Sequence, residues 1–293
     1  MRFSIHSDIQ LAQTPPAHFY RSSGVFEKQR EALFPGSWQL VMCWPKLHEA
    51  IPFRLLEGLL DEPLLFANDG SEAPRCLSNV CTHRGNILLN SACTSGQIRC
   101  GYHGRRFNLQ GQLTAAPGFE EARDFPKESD HLPSAPTANL GPLWFTSLGP
   151  NTPFQDWIGP VLERCPWLLE MDLPDAPQQV QDYEIQANWM VYCDNYLEGF
   201  HVPFVHPSLQ RTLESGTYET HLFPWGSAQT SKAGPQTPTL PDGQAAWYFW
   251  LFPNTMINIY PWGVSMNVVL PTSVSTTRVR FLAYVARPEL QGV

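Results

Sequence analysis

The 293-residue sequence has no apolar run long enough to cross a bilayer. Its longest covers residues 247–253, whereas a spanning helix needs about 20 residues. Residues 1–6 carry a charge but no apolar h-region, so no secretory leader is visible. Basic residues are few: 19 Lys and Arg against 27 Asp and Glu, a formal net charge of −8, which argues against a nucleic-acid or anionic-membrane surface. A disulfide framework is missing too. The seven cysteines are odd in number, and Cys43, Cys76, Cys93, Cys165 and Cys193 show no paired spacing. A reducing cytoplasm is expected, with most of these five serving as small buried hydrophobes. There are no internal repeats and no low-complexity tracts.

What is present reads as globular. Hydrophobic residues make up 43% and charged residues only 16%, which is ordinary for a folded chain and far from disorder. The length can bury one large core or two modest ones. The 28 prolines predict many irregular connections, and the 10 tryptophans a large aromatic interior. Residues 1–20 read as an extended, proline-interrupted lead-in, followed by a short helix over 22–34 with Phe26, Leu33 and Phe34 on one face and Ser22 at its start. Short β-like runs then follow at 38–43, 53–56, 63–67, 76–80, 97–99, 106–109 and 143–147, with hairpin signals at Asn68-Asp69-Gly70 and Gln110-Gly111. A helix around 157–164, a strand at 181–186 and a helical pattern over 189–200 come next. A polar loop from about 226 to 244 precedes strands at 247–252, 256–260, 264–270 and 276–285. Helices and strands in blocks predict an α+β chain: an N-terminal segment 1–36 packing with the last domain, a small all-β domain 37–150, and an α+β domain 151–293 with a central antiparallel sheet.

Two loops in the β-rich part carry chemistry. Cys81-Thr82-His83 and Cys100-Gly101-Tyr102-His103 together form a tetradentate set, each loop giving one thiolate and one imidazole. Two cysteines and two histidines are the ligands of a Rieske [2Fe-2S] cluster, sulfur on one iron and nitrogen on the other. A structural zinc site uses the same ligand types. Zinc fingers, however, pair Cys with Cys and His with His, whereas a cluster needs both irons reached from each loop.

Cys81-Thr82-His83-Arg84-Gly85 and Cys100-Gly101-Tyr102-His103-Gly104-Arg105-Arg106-Phe107 resemble the Rieske domain of the ring-hydroxylating oxygenase alpha subunits. Respiratory Rieske proteins carry an extra cysteine in each loop, and those two form a disulfide. Asn86 and Tyr102 stand at those places here, and Arg105 stands where those proteins have a serine that donates to a cluster sulfur. Fewer donors leave the reduced cluster less stabilised, so a low-potential centre is expected. The acidic chain would then suit a basic electron donor.

The second candidate stretch runs from Asn188 to His206. His201 and His206 would point about 140° apart on an unbroken helix, so a break at Pro203 is expected to bring them together. The plainer alternative is a pair of histidines at a helix end. The stretch resembles the family's Asn-x-x-(Asp/Glu)-x-x-His-x4-His motif, met by Asn195, Glu198, His201 and His206. The resemblance implies a mononuclear Fe(II) on His201 and His206, and Glu198 as the acid bridging the two centres. In the family that bridge runs between neighbouring subunits of a trimer, from His103 to His201. The wording Asp194-Asn195-Tyr196-Leu197-Glu198-Gly199-Phe200-His201 is most similar to the branch containing choline and carnitine monooxygenases. Asp194 and Tyr196 are read as helix packing. Phe200, Phe204, Trp247 and Phe249 are candidates for a pocket lining or for core.

In the family the third iron ligand is a carboxylate late in the chain, after the last strands. Glu289 is too near the last strand to be assigned that role. The expectation is a C-terminally incomplete domain with the third ligand not found in this chain, a stable cluster, and an empty or depleted iron site. The implied activity is that of an oxygenase component, fed through a reductase or ferredoxin from NAD(P)H, acting with O2 on a small organic molecule, as a homotrimer without nucleic-acid or membrane partners. The alternative is a Rieske electron carrier whose second domain catalyses nothing.

Overall fold

The computed structural model describes residues 3–206, 214, 216–235 and 237–291. They form two compact units: Gly36–Asn151, and the residues on either side of it in sequence.

The inner unit is built from short antiparallel strands. They are β1 (Gln39–Leu40), β2 (Glu49–Leu55), β3 (Glu62–Asn68), β4 (Arg75–Ser78), β5 (Gln97–Arg99), β6 (Arg106–Asn108), β7 (Leu113–Ala115), β8 (Ser134–Ala135), β9 (Thr137–Leu140) and β10 (Leu143–Thr146). Three sheets result, ordered β1-β10-β9, β2-β3-β4-β8 and β5-β6-β7. The two turns with hairpin chemistry, at Gly70 and Gly111, join β3 to β4 and β6 to β7 with both glycines at positive φ. Strands β7, β8 and β9 were not foreseen; at two to four residues they are too short for alternation to register. The core gathers Leu65, Leu77, Ile98 and Phe107 around Cys81 and Cys100. The two thiols therefore sit inside the apolar packing from which their loops emerge.

The outer unit contains helices α1 (Ala17–Arg21), α2 (Ser23–Ala32), α3 (Phe154–Arg164), α4 (Trp189–Tyr196) and α5 (Val202–Val205). Its strands are β11 (Gln179–Ile185), β12 (Glu219–Phe223), β13 (Gly226–Lys232), β14 (Gln244–Leu251), β15 (Thr255–Tyr260), β16 (Gly263–Pro271) and β17 (Thr277–Val285). They make one seven-stranded antiparallel sheet, β11-β17-β16-β15-β14-β13-β12. This is the α+β arrangement with a central antiparallel sheet expected from the sequence.

Two expectations are corrected here. The lead-in is not extended throughout, because α1 forms directly after Pro15 and Pro16, which hold the chain at the start of the helix. The stretch 226–244 is not a loop at its start: residues 226–232 are β13, whose small polar side chains are buried between two neighbouring strands. Gly, Ser, Ala and Gln have weak strand propensity, and pairing on both edges overrides it.

The N-terminal helices hold the helix that carries the second candidate site. Ser22 Oγ caps α2 by accepting from Val25 N–H at 3.3 Å. Gln29 accepts from Trp189 Nε1–H at 3.2 Å, and the ring of Phe34 packs edge-on against Trp189 at 5.3 Å. Tyr20 donates to Asp194 at 2.8 Å, which ties α1 to α4.

At the far sheet edge, Asp182 of β11 pairs with Arg280 of β17 through two contacts of 2.6 Å. The arginine's two hydrogen bonds hold the Asp182 carboxyl below the usual carboxylate range against the opposing effect of burial. A depressed folded pKa gives stability that is present above the unfolded value of about 3.9 and is lost as pH falls through the folded one. Both groups are partly exposed, so Arg280→Gln is expected to cost only about 1 kcal/mol at pH 7. The difference should shrink as pH falls from the unfolded value through the folded one and vanish once the carboxyl is protonated in both states, read as the gap between the thermal midpoints of wild type and variant at each pH. A gap unchanged at low pH would show that the pair is not its source.

Candidate functional site

The two cysteine loops are the same turn made twice. Cys81 N–H donates to Asn86 O and Gly85 N–H to Cys81 O, at 2.8 and 3.0 Å. Cys100 N–H donates to Arg105 O and Gly104 N–H to Cys100 O, at 2.8 and 3.1 Å. Each turn needs a glycine four residues after its cysteine, and Gly85 and Gly104 have φ of 70° and 74°, a region other residues rarely enter. The shared scaffold places the thiols together in the core, 3% and 2% exposed. The rings of His83 and His103 come together further out, with centroids 4.7 Å apart.

Electrostatics suit metal-ligating thiolates. Burial alone would push the Cys100 thiol up, but N–H groups of Tyr102 and His103, the Cys81 thiol and the Asn86 amide together bring it below its usual value. Cys81, sharing its proton with Cys100, is raised, chiefly by burial. These backbone N–H groups are donors that side-chain identity alone does not reveal. Asn86, standing where a disulfide cysteine would be, reaches Cys100 Sγ at 3.8 Å. The Tyr102 ring lies tilted at 41° against His103, with centroids 3.8 Å apart.

His83 Nδ1 is buried and has no hydrogen-bond partner among the described residues. A lone pair left bare in this way is what a metal would engage, so the residues fit a cluster. Thiol beside thiol and imidazole beside imidazole is also a two-and-two arrangement. Among the described residues no three His, Cys, Asp or Glu side chains gather tightly enough for a single ion, which is the geometry a tetrahedral zinc site requires.

In the outer unit, Asn188 starts α4 by accepting from Met190 N–H at 3.0 Å while its amide donates to Val274 O at 2.9 Å. The helix stops at Tyr196. The break therefore falls at residues 197–200 rather than at Pro203, which sits inside the first turn of α5, where a proline is tolerated. At the break Gly199 lies close under the Tyr218 ring, where a Cβ would come within about 2.5 Å of Cζ unless the tyrosine moved. His201 and His206 flank α5, and their rings lie 5.3 Å apart at 76°.

Glu198 links the break to the first histidine. One carboxylate oxygen is 2.5 Å from His201 Nδ1, and the other accepts from Phe200 N–H at 2.5 Å and His201 N–H at 3.3 Å. Partial burial opposes ionisation, but these hydrogen bonds outweigh it and hold the carboxyl below its usual range. With Nδ1 engaged, Nε2 is the free ring nitrogen of His201. A carboxylate behind a histidine in this way fixes its tautomer for a metal. Two imidazoles so presented fit two of the three protein ligands of a facial iron site.

His201, His206 and Glu198 line a cavity of about 230 Å³. Its other wall is the sheet face bearing Tyr248, Asn258, Tyr260 and Asn267, with Tyr218 and Gln229 beside it. Tyr196 donates to Asn258 Oδ1 at 2.6 Å, Asn258 donates to Ser265 Oγ at 3.0 Å, and Tyr218 donates to Gln229. Burial first, then neighbouring phenols, keeps Tyr248 protonated. The four aromatics proposed from sequence do not line this cavity: Phe200 and Phe204 are 84% and 87% exposed, and Trp247 and Phe249 are buried, on the other face of β14 from Tyr248. The signal that would have found the wall is the period-two alternation of Trp247-Tyr248-Phe249, which turns the middle residue to the opposite face.

Comparisons with known proteins agree with both halves. Residues 46–126 match the Rieske [2Fe-2S] domain and residues 176–292 the catalytic domain of the ring-hydroxylating alpha subunit. The carnitine monooxygenase oxygenase subunit of Acinetobacter pittii (strain PHEA-2) is 30% identical, over 96% of this chain and 78% of that protein. Chloroplastic choline monooxygenase of Arabidopsis thaliana is 28% identical, over 93% of this chain and 68% of that protein. Among solved structures, the quaternary ammonium Rieske monooxygenase CntA with inhibitor MMV12 superposes with a TM-score of 0.78 at 26% identity, covering 96% of this chain and 78% of its own. Naphthalene 1,2-dioxygenase from a Rhodococcus species shares the fold at a TM-score of 0.74 and 20% identity, covering 94% and 74%.

Proposed function

The chain belongs to the alpha subunits of the Rieske ring-hydroxylating oxygenases and is an oxygenase of that type; on that footing we propose that it hydroxylates a small quaternary ammonium compound as the oxygenase component of a multicomponent system. Cys81, Cys100, His83 and His103 would hold the cluster, and His201 and His206 would supply two ligands to the iron, whose third protein ligand is not found in this chain. When bound, the [2Fe-2S] cluster supplies electrons singly and the mononuclear Fe(II) supplies the site of O2 activation. Glu198 orients His201 through Nδ1, and by family resemblance also links it to His103 of a neighbouring subunit in a homotrimer. The electron-carrier alternative is opposed by relatives that are monooxygenases and dioxygenases by name.

The observation that carries this reading is the contact between Glu198 and His201 Nδ1, in a chain that also bears both cysteine loops. The cavity supports the substrate class. Tyr218, Tyr248 and Tyr260 are among its described lining residues, Glu198 is the acidic group among them, and none of them is Lys or Arg. Aromatic walls of this kind hold quaternary ammonium groups, and the volume suits a molecule the size of carnitine. Electrons come from NAD(P)H through a reductase or ferredoxin. The seven cysteines are unpaired, which supports a reducing, cytoplasmic setting. No helix among the described residues is long and apolar enough to cross a membrane.

The test is a coupled assay of the full chain with a surrogate reductase, NADH and O2. Carnitine, γ-butyrobetaine or choline is expected to stimulate NADH and O2 consumption several-fold over the substrate-free rate, with hydroxylated product formed. Stimulation by aromatic substrates such as naphthalene alone would overturn the substrate class. Consumption unaffected by every substrate would overturn the oxygenase assignment for this chain.

A further inference from the structure

Beside the paired cysteine loops lies a second buried atom without a partner, and it is of the opposite kind from His83 Nδ1. Arg105 is 4% exposed, and its Nε–H finds no acceptor among the described residues. Leaving such a donor unanswered costs on the order of 1–3 kcal/mol, so a rigidly held example requires a reason.

The guanidinium is fixed from several sides. Its Nη1 donates to Thr82 Oγ1 at 3.2 Å and to Asp130 Oδ1 at 3.3 Å. Thr82, lying between Cys81 and His83, donates in turn to Asp130 O at 2.7 Å. The rings of Phe119 and Phe125 stand 5.3 and 5.5 Å from the guanidinium carbon and keep water away. The backbone of the same residue closes the second loop by accepting from Cys100 N–H. One residue thus ties loop to loop and carries a dry positive charge between them.

We propose that Arg105 is a positioning residue that sets the reduction potential of the cluster, its Nε–H donating to a cluster sulfur and its buried charge stabilising the added electron. The proposal rests on the cluster reading above. No bond to the protein forms or breaks in the step: one electron enters from the reductase, the cluster becomes more negative by one charge, and the fixed cation offsets part of that charge. Donors to cluster sulfurs and local charge are the recognised means by which a protein moves such a potential. Arg105 therefore supplies what its position was expected to lack, since the serine donor of respiratory proteins is replaced by a cationic donor. Asp130 sets the limit, because its carboxylate cancels part of the charge.

The experiment is a redox titration of the full chain, following the cluster by visible circular dichroism and electron paramagnetic resonance. Arg105→Gln is expected to move the reduced-to-oxidised ratio at fixed potential at least tenfold toward oxidised, about 59 mV for one electron. Asp130→Asn is expected to move it about threefold or more the other way. A residue that merely holds the loops would change cluster content or melting temperature but not the midpoint of the cluster-containing fraction, and would not give shifts of opposite sign. An unchanged midpoint in cluster-replete Arg105→Gln overturns the proposal, as does an unchanged or lowered midpoint in Asp130→Asn. The latter variant decides alone if Arg105→Gln does not retain its cluster. Wild-type protein purified with iron and sulfide yet lacking the cluster signals would overturn the cluster reading itself, and this would be seen before any variant is compared.

Discussion

Glu198→Gln is expected to lower turnover by between about 10²- and 10⁴-fold while leaving the visible spectrum of the cluster at wild-type intensity. The side chains are nearly isosteric, so the two backbone hydrogen bonds to Phe200 and His201 can persist. What the amide cannot reproduce is a pair of oxygens that both accept. Facing His201 Nδ1 with an NH2 group forces that nitrogen to accept, and the ring proton moves to Nε2. The nitrogen turned away from Glu198 then has no lone pair for a metal, so iron at His201 and His206 should fall with activity. Iron content measured separately from cluster absorbance checks this. Full turnover in the variant would remove Glu198 from both of its proposed roles.

Cys100→Ala should act on the other unit and more completely. Cys100 lies in the apolar core, beside Cys81, and receives N–H groups from its own loop. Its loss leaves one iron of a cluster with a single thiolate. Iron and sulfide at this site should fall to near zero, the visible bands should vanish, and reductase-driven turnover should drop below detection. Because site formation and folding are coupled in small metal domains, the melting temperature of the inner unit should fall as well. Full cluster content in this variant would show that the ligand is another residue.

The chain's class and the positions of its long elements were legible in the residues because they rest on local chemistry. The alternation in β14–β17 and the Ser22 cap act over a few residues and need no distant partner. Equally local is the reason the cysteine loops could be read: each needs a cysteine, a histidine and a glycine at fixed offsets. Long-range packing set the rest. Strand β13 exists because two neighbours pair with it, the helix break falls at 197–200 with Gly199 close under the Tyr218 ring, and Arg105 looked like a missing serine until its aromatic walls were in place. The tyrosine wall of the cavity was hidden for a simpler reason. Tyr248 and Tyr260 lie on different strands, and only the register between β14 and β15 brings them to one face.

The interruption of the outer unit by the inner one also orders events during synthesis. The residues of Gly36–Asn151 leave the ribosome as a continuous piece and can complete their sheets at once. Helix α2 cannot: Phe34 and Gln29 find Trp189 only after the whole inner unit has been made. At roughly 5–20 residues per second, that wait lasts on the order of ten to thirty seconds. The apolar face of α2 is exposed throughout, before the segment it braces exists. Growing chains paused in this window are the stage at which a chaperone would find most to hold.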